Sequence, residues 1–169
     1  MSDTTIIEAE QYLTFTLGAE YYAIDVSKVK EVLEIQPITR IPKTPPYMRG
    51  VINVRGGVVP IIDLRKKFGM EEVEETEDTC IIVLEIGLQN ETINVGAVAD
   101  TVSEVIELPQ EKIEPTPKIG TQLNTAFIDG LGKYDEHFLI ILNIDKIFTE
   151  EEILTAEKTK QRGEEAEEH

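Results

Sequence analysis

The strongest constraint on this chain is that it repeats itself. Val29-Lys30-Glu31-Val32-Leu33-Glu34-Ile35 returns as Val102-Ser103-Glu104-Val105-Ile106-Glu107-Leu108, 73 positions later, with apolar and acidic residues in the same order. Gly50 and the run Ile61 to Phe68 are answered by Gly130 and Ile141 to Phe148, at an offset of 80. Leu13 to Gly18 matches Ile82 to Gly87 more weakly, at an offset of 69. Three matches in one order, with a slowly drifting offset, predict two copies of one small unit, over residues 11–69 and 80–148. A doubled unit offers a seam between the copies and several faces for partners.

Local signals make that unit β-rich. Gln11 to Leu17 alternates as a strand and turns at Gly18 into Tyr21 to Ile24. Asp25 can cap a short helical turn before the strand-like run Val29 to Ile35. Pro37, Pro42, Pro45 and Pro46 leave no room for a long helix in the segment that follows. Val51 to Val54 and Val58 to Ile62 flank Arg55-Gly56-Gly57, a hairpin with glycines at its turn. Asp63 can N-cap a short helix over 64–68, and Gly69 can end it in a left-handed conformation. Asn143 can begin the equivalent helix over 144–148. Residues 70–79 hold six acids in ten and predict a solvated linker. Residues 151–169 are acidic and predict a flexible tail. Short strands at even spacing with little helix indicate small barrels.

Charge narrows the partners. The chain carries a formal net charge of −17, which disfavours non-specific nucleic-acid binding. Residues 28–67 break that pattern, with nine Lys/Arg against Glu31, Glu34 and Asp63. Either a solvated face or a surface for an acidic protein partner accounts for such a stretch. No apolar run approaches the roughly 18 residues that a membrane span needs. The N-terminus lacks the basic and apolar regions of a signal peptide. The single cysteine, Cys80, cannot form an intrachain disulfide, and the cytoplasm is the expected compartment.

Catalysis finds little support. Of two histidines, His137 sits beside a hairpin turn and His169 ends the chain. Cys80 opens an apolar run and has no partner for a metal site, so neither a metal nor a cofactor is expected. Asp129-Gly130-Leu131-Gly132 is glycine-rich, but no helix follows, and it reads as a turn rather than a phosphate loop. Glu31 and Glu34 could form an acid–base pair, yet among 33 acids surface solvation is the simpler role. A single-strand-binding barrel would need aromatic platforms in a basic groove. Tyr12, Phe15, Tyr21 and Tyr22 instead cluster far in sequence from the arginines, and at least half of them read as core.

Binding remains. Arg55 projects from a glycine-flanked hairpin tip, either as a partner contact or as a strut to Glu31 or Glu34. Runs such as Val32-Leu33 and Val105-Ile106 cannot bury every apolar side chain in one barrel, because strand residues alternate faces. The remainder must meet the other copy or a partner.

Met48-Arg49-Gly50-Val51-Ile52-Asn53-Val54-Arg55-Gly56-Gly57-Val58-Val59-Pro60-Ile61-Ile62-Asp63-Leu64-Arg65 resembles the signature of the CheW family of bacterial chemotaxis coupling proteins. Tyr22 to Val26, Val29 to Val32, Thr39 to Pro42 and Leu139 to Phe148 match flanking elements in order, so the resemblance covers about residues 11–150. It implies an all-β fold of two five-stranded SH3-like barrels around a shared hydrophobic core, with a few short helices and with strands that can exchange between barrels. It implies an adaptor joining transmembrane chemoreceptors to the histidine kinase CheA, through the kinase's regulatory domain. Receptor tips would dock near Val29, Glu31, Arg55, Val102 and Val105; kinase-contact residues are not assigned. The protein would be cytoplasmic and recruited to the inner face of the membrane through receptor arrays. The alternatives are a non-catalytic scaffold of another two-component system, or a small-barrel nucleic-acid binder.

Overall fold

The computed structural model describes residues 9–88, 90–115 and 127–167. The first half supplies β1 (Ala9–Leu17), β2 (Glu20–Asp25), β3 (Val29–Glu34), β4 (Met48–Val54), β5 (Gly57–Asp63) and helix α1 (Leu64–Lys67). The second supplies β6 (Cys80–Leu88), β7 (Glu91–Ala99), β8 (Thr101–Pro109), β9 (Ile113–Glu114), β10 (Ile128–Tyr134) and β11 (His137–Leu142). Helices α2 (Ile144–Ile147) and α3 (Glu150–Glu167) follow. His169 lies outside the described residues.

Local chemistry explains the punctuation. Asp25 accepts from the Ser27 N–H at 2.9 Å, Asp63 from the Lys66 N–H at 3.2 Å, and Asn143 from the Asp145 N–H at 3.0 Å. Each satisfies an amide that a helical turn leaves without a partner. Gly69 follows α1 with a φ of +73°, as a left-handed cap.

The strands pair in the orders β8-β1-β2-β11-β10-β9 and β3-β6-β7-β5-β4. Neither sheet is one sequence repeat. By repeat equivalence β1 and β2 correspond to β6 and β7, β3 to β8, and β4-β5-α1 to β10-β11-α2. Each sheet therefore joins the first hairpin of one half to the remaining strands of the other. The exchange is reciprocal, and the two halves meet twice within each sheet: at the antiparallel pair β1–β8 and the parallel pair β2–β11 in the first, and at the antiparallel pair β3–β6 and the parallel pair β5–β7 in the second.

The expected all-β pair of small units around a shared core is met, by sheets of six and five strands. The first sheet has six strands, because the two-residue β9 adds to β10. Its counterpart in the other sheet is the isolated bridge between Thr39 and Val51. Both orders are open rather than rings. Asp129 to Gly132, expected as a turn, is part of β10, and Gly130 sits at a register shift there as Gly50 does in β4. A Cβ on Gly130 would lie 2.7 Å from the Glu114 carbonyl oxygen. That glycine serves close approach of β9, not a turn.

The largest apolar cluster draws on both sheets. Phe15, Leu17, Tyr22 and Ile24 from one meet Ile82, Leu84, Ile86 and Ile62 from the other, all essentially without solvent exposure. Smaller clusters fill each sheet's own concavity: Tyr12, Ile106, Leu108 and Ile141 in the first, Ile52, Ile61, Ile81 and Val83 in the second. Most of the apolar burial that drives folding thus lies between the exchanged halves.

The segment expected to be a flexible tail is helical through Glu167, the last described residue. Thr149 and Glu152 form a reciprocal capping box: the Glu152 N–H donates to Thr149 Oγ1 at 3.1 Å, and the Thr149 N–H donates to Glu152 Oε1 at 2.8 Å. Ile153, Ala156, Thr159 and Gly163 then recur at three to four residues and are buried. They lay α3 over β4 and β5, where a Cβ on Gly163 would come within 2.9 Å of Val51 and 3.0 Å of Val58. Arg162 donates to the Pro42 carbonyl, and Lys67 of α1 pairs with Glu152. The Lys67 ammonium also lies 5.5, 5.7 and 5.6 Å from the ring centres of Tyr47, Phe127 and Phe148.

Candidate functional site

Arg55 stands at the β4–β5 turn with a φ of +49°, followed by Gly56 at +84°. Two consecutive positive φ values are what a tight hairpin turn requires, and glycine or asparagine fills such positions at least cost. A long cation there costs backbone energy, which points to a use for its side chain. That side chain is 73 % exposed and forms an ion pair with Glu31 of β3. The hydrogen bond to Glu31, and then its charge, raise the Arg55 pKa above its ordinary value.

This pair does something the strand order alone conceals. β3 and β4 are the two edges of the second sheet, so Glu31 and Arg55 bridge its open seam. The first sheet repeats the device with other chemistry. Glu104 of β8, equivalent to Glu31, accepts a 3.3 Å hydrogen bond from the Tyr134 hydroxyl at the end of β10. One seam is closed by an ion pair at its tip, the other by a phenol.

The remaining candidates divide between the sheets. Val29 and Val102, equivalent in the repeat, are each half-buried and pack against the shared core. Val105 is 49 % exposed on β8. Its equivalent Val32 is 39 % exposed on β3 and is a surface valine that sequence reasoning did not single out. Their neighbours Leu33 and Ile106 turn inward to the second and first sheets' own clusters. The alternation that could not bury both residues leaves one valine of each pair in water. Glu31 and Arg55 are thus brought into contact; Val105 belongs to the first sheet and the ion pair to the second.

The basic stretch is not a bare positive surface. Arg49 pairs with Glu75 at 2.8 Å, Lys66 with Glu72 at 3.3 Å, and Arg65 donates to the Glu71 carbonyl at 2.9 Å. The acidic linker lies along these cations. Arg65 also grips Asp100 through 3.1 and 2.5 Å hydrogen bonds. Burial pushes the Asp100 carboxyl up, but the Arg65 hydrogen bonds, the Gly18 N–H and the Arg65 charge together outweigh it and hold its pKa below the ordinary value. Glu152 shows the same balance: burial raises it, while Lys67 and the Thr149 N–H bring it down on balance.

Burial pushes the Cys80 thiol up, away from the thiolate a nucleophile needs. Among the described residues no group of three or more His, Cys, Asp or Glu is placed to hold a metal ion. No described helix is long and apolar enough to cross a membrane.

The chain is similar to known proteins. A family model described as the CheW-like domain matches residues 11–152. The chemotaxis protein CheW of Klebsiella aerogenes is 43 % identical over 144 residues, covering 85 % of this chain and 84 % of the relative. That of Bacillus subtilis is 35 % identical over 143 residues, covering 84 % and 88 %. The crystal structure of the scaffolding protein TtCheW from Thermoanaerobacter tengcongensis superposes with a TM-score of 0.75 at 34 % identity, covering 88 % of this chain and 94 % of that one. With its doubled β unit and its signature hairpin, the chain belongs to the CheW-like family of chemotaxis proteins.

Proposed function

We propose that this chain is a non-catalytic cytoplasmic adaptor that couples the cytoplasmic tips of chemoreceptors to the regulatory domain of the kinase CheA, at the inner face of the membrane. Family membership over nearly the whole chain supports the reading. The observation that carries the site is Arg55, a long cation kept in a backbone conformation better suited to glycine, exposed and aligned by Glu31.

In this reading an α-helical receptor hairpin lays apolar residues near Val29, Val102 and Val105. Arg55 and Glu31 orient it through charge-assisted hydrogen bonds. An affinity of order 1 μM corresponds to roughly −8 kcal/mol, and repeated contacts in an array reinforce it.

The test is to titrate the full chain with a receptor-tip fragment and with the kinase regulatory domain, separately and together. Both bind, and a folded Arg55→Ala variant binds the receptor fragment about thirtyfold more weakly, as a hot-spot truncation does. If wild-type protein binds neither partner, the coupling reading fails. If Arg55→Ala lowers the melting temperature but leaves the affinity intact, Arg55 is only a strut across the seam.

A further inference from the structure

A depression of about 420 Å³ opens beside the Glu31–Arg55 pair, on the second sheet. Apolar residues such as Val54, Val58 and Ile93 line it, with charges around them. Four of those charges are already used within the protein: Arg55 with Glu31, and Lys30 with Glu85 at 3.4 Å. Two others, Lys160 and Glu164, come from α3, beyond the residue 152 at which the family match ends. Neither has an ion-pair partner among the described residues.

The helix itself gains little from this pair. A Lys four residues before a Glu is the weaker orientation for a pair within a helix. Glu164 also lies in the last turn, which has no basic residue and where the helix dipole disfavours acids. Gly163, beside Glu164, lets the helix settle close to Val51 and Val58 and so holds this turn near the depression. An acid placed where the helix dipole disfavours it, and a cation one turn before it, both unpaired, beside an apolar floor and next to Arg55, are placed for a partner.

We propose that Lys160 and Glu164 form a specificity rim for the helical segment that docks at Arg55. They read an acidic and a basic side chain one helical turn apart on it. This inference rests on the docking role proposed for Arg55 and Glu31, and the surface is continuous with that site because both residues line the same depression. The occupant is therefore an amphipathic helix with apolar residues toward the valines and an acid–base pair at its edge.

A net-neutral exchange tests it. Full-length protein carrying Lys160→Glu and Glu164→Lys together keeps its overall charge and gains the better helical orientation, so α3 should remain folded by circular dichroism. Affinity for a purified receptor-tip fragment, measured by calorimetry, should fall about threefold to tenfold at low salt, with the loss shrinking as salt rises. The exchange Lys158→Glu with Glu165→Lys, on exposed positions that do not line the depression, should leave affinity unchanged. An unchanged affinity in the first variant, an equal loss in the second, or a loss independent of salt each overturns the rim. Arg55→Ala separates the two levels. If it weakens binding and the exchange does not, only the rim falls; if neither weakens binding, the docking site itself lies elsewhere.

Discussion

Gly50→Ala should be one of the most damaging single-methyl additions this fold can receive. Gly50 has a φ of +141°, where essentially only glycine is found. An added Cβ would overlap the Thr39 carbonyl oxygen and lie 2.8 Å from its carbon and 3.0 Å from the Arg40 Cα. These are backbone atoms, so no rotamer change relieves the overlap. The segment must move away, breaking the bridge in which Thr39 and Val51 exchange hydrogen bonds of 2.9 and 2.8 Å. Strain of about 1–3 kcal/mol and two lost hydrogen bonds at about 1 kcal/mol each give about 3–5 kcal/mol. That is a large share of a typical stability of about 5–15 kcal/mol. With a urea m-value near 2 kcal/mol/M, the unfolding midpoint should fall by about 2 M. Gly130→Ala keeps an ordinary φ but meets Glu114 and Ile113 at 2.7 and 2.8 Å, and should be intermediate. Gly87→Ala has nothing within 4 Å and should shift the midpoint little. A Gly50→Ala midpoint within about 0.5 M of wild type would refute the argument that this glycine exists for close approach.

Three further outcomes follow from the charges. Lys67→Met leaves Glu152 half-buried without its cation, and should cost about 2 kcal/mol and speed hydrogen exchange along α3. Asp100 and Glu152 are both held below their ordinary values of 3.8 and 4.5, so their stabilisation is complete above about pH 4.5 and is lost as pH falls through the lowered values. The melting temperature should therefore drop steeply below pH 4.5, and Asp100→Asn with Glu152→Gln should flatten that drop. Exchanging the seam charges, Glu31→Arg with Arg55→Glu, should leave the melting temperature within about 2 °C of wild type while receptor affinity stays low. Recovery of both would mean that a partner does not read the two charges individually.

The candidate site was legible to different depths. Arg55 declared itself through the glycines beside it, and Glu31 was one of two acids its cation could reach. Which of Val32 and Leu33 faces solvent was not legible, because only burial distinguishes them. Helix α3 was missed because its polar composition outweighed a signal that was present, Thr149-x-x-Glu152 ahead of Ile153, Ala156 and Gly163. Lys160 and Glu164 could not be connected to Arg55 from sequence, since their proximity depends on where α3 docks.

The sequence by itself determined the unit: its strands, turns and caps follow from alternation, glycine and side-chain hydrogen bonds, all of which act within a few residues. It also determined that the unit occurs twice, because equivalent residues recur in order. Only the tertiary structure decided which strands pair. Two similar halves present similar edges, and the hydrogen bonds of a ladder do not distinguish β1 from β6. Burial of Phe15, Leu17 and Tyr22 against Ile82, Leu84 and Ile62 holds the two exchanged sheets face to face. That exchange interlocks the copies and sets Arg55 opposite Glu31 across a seam that no local pattern reveals.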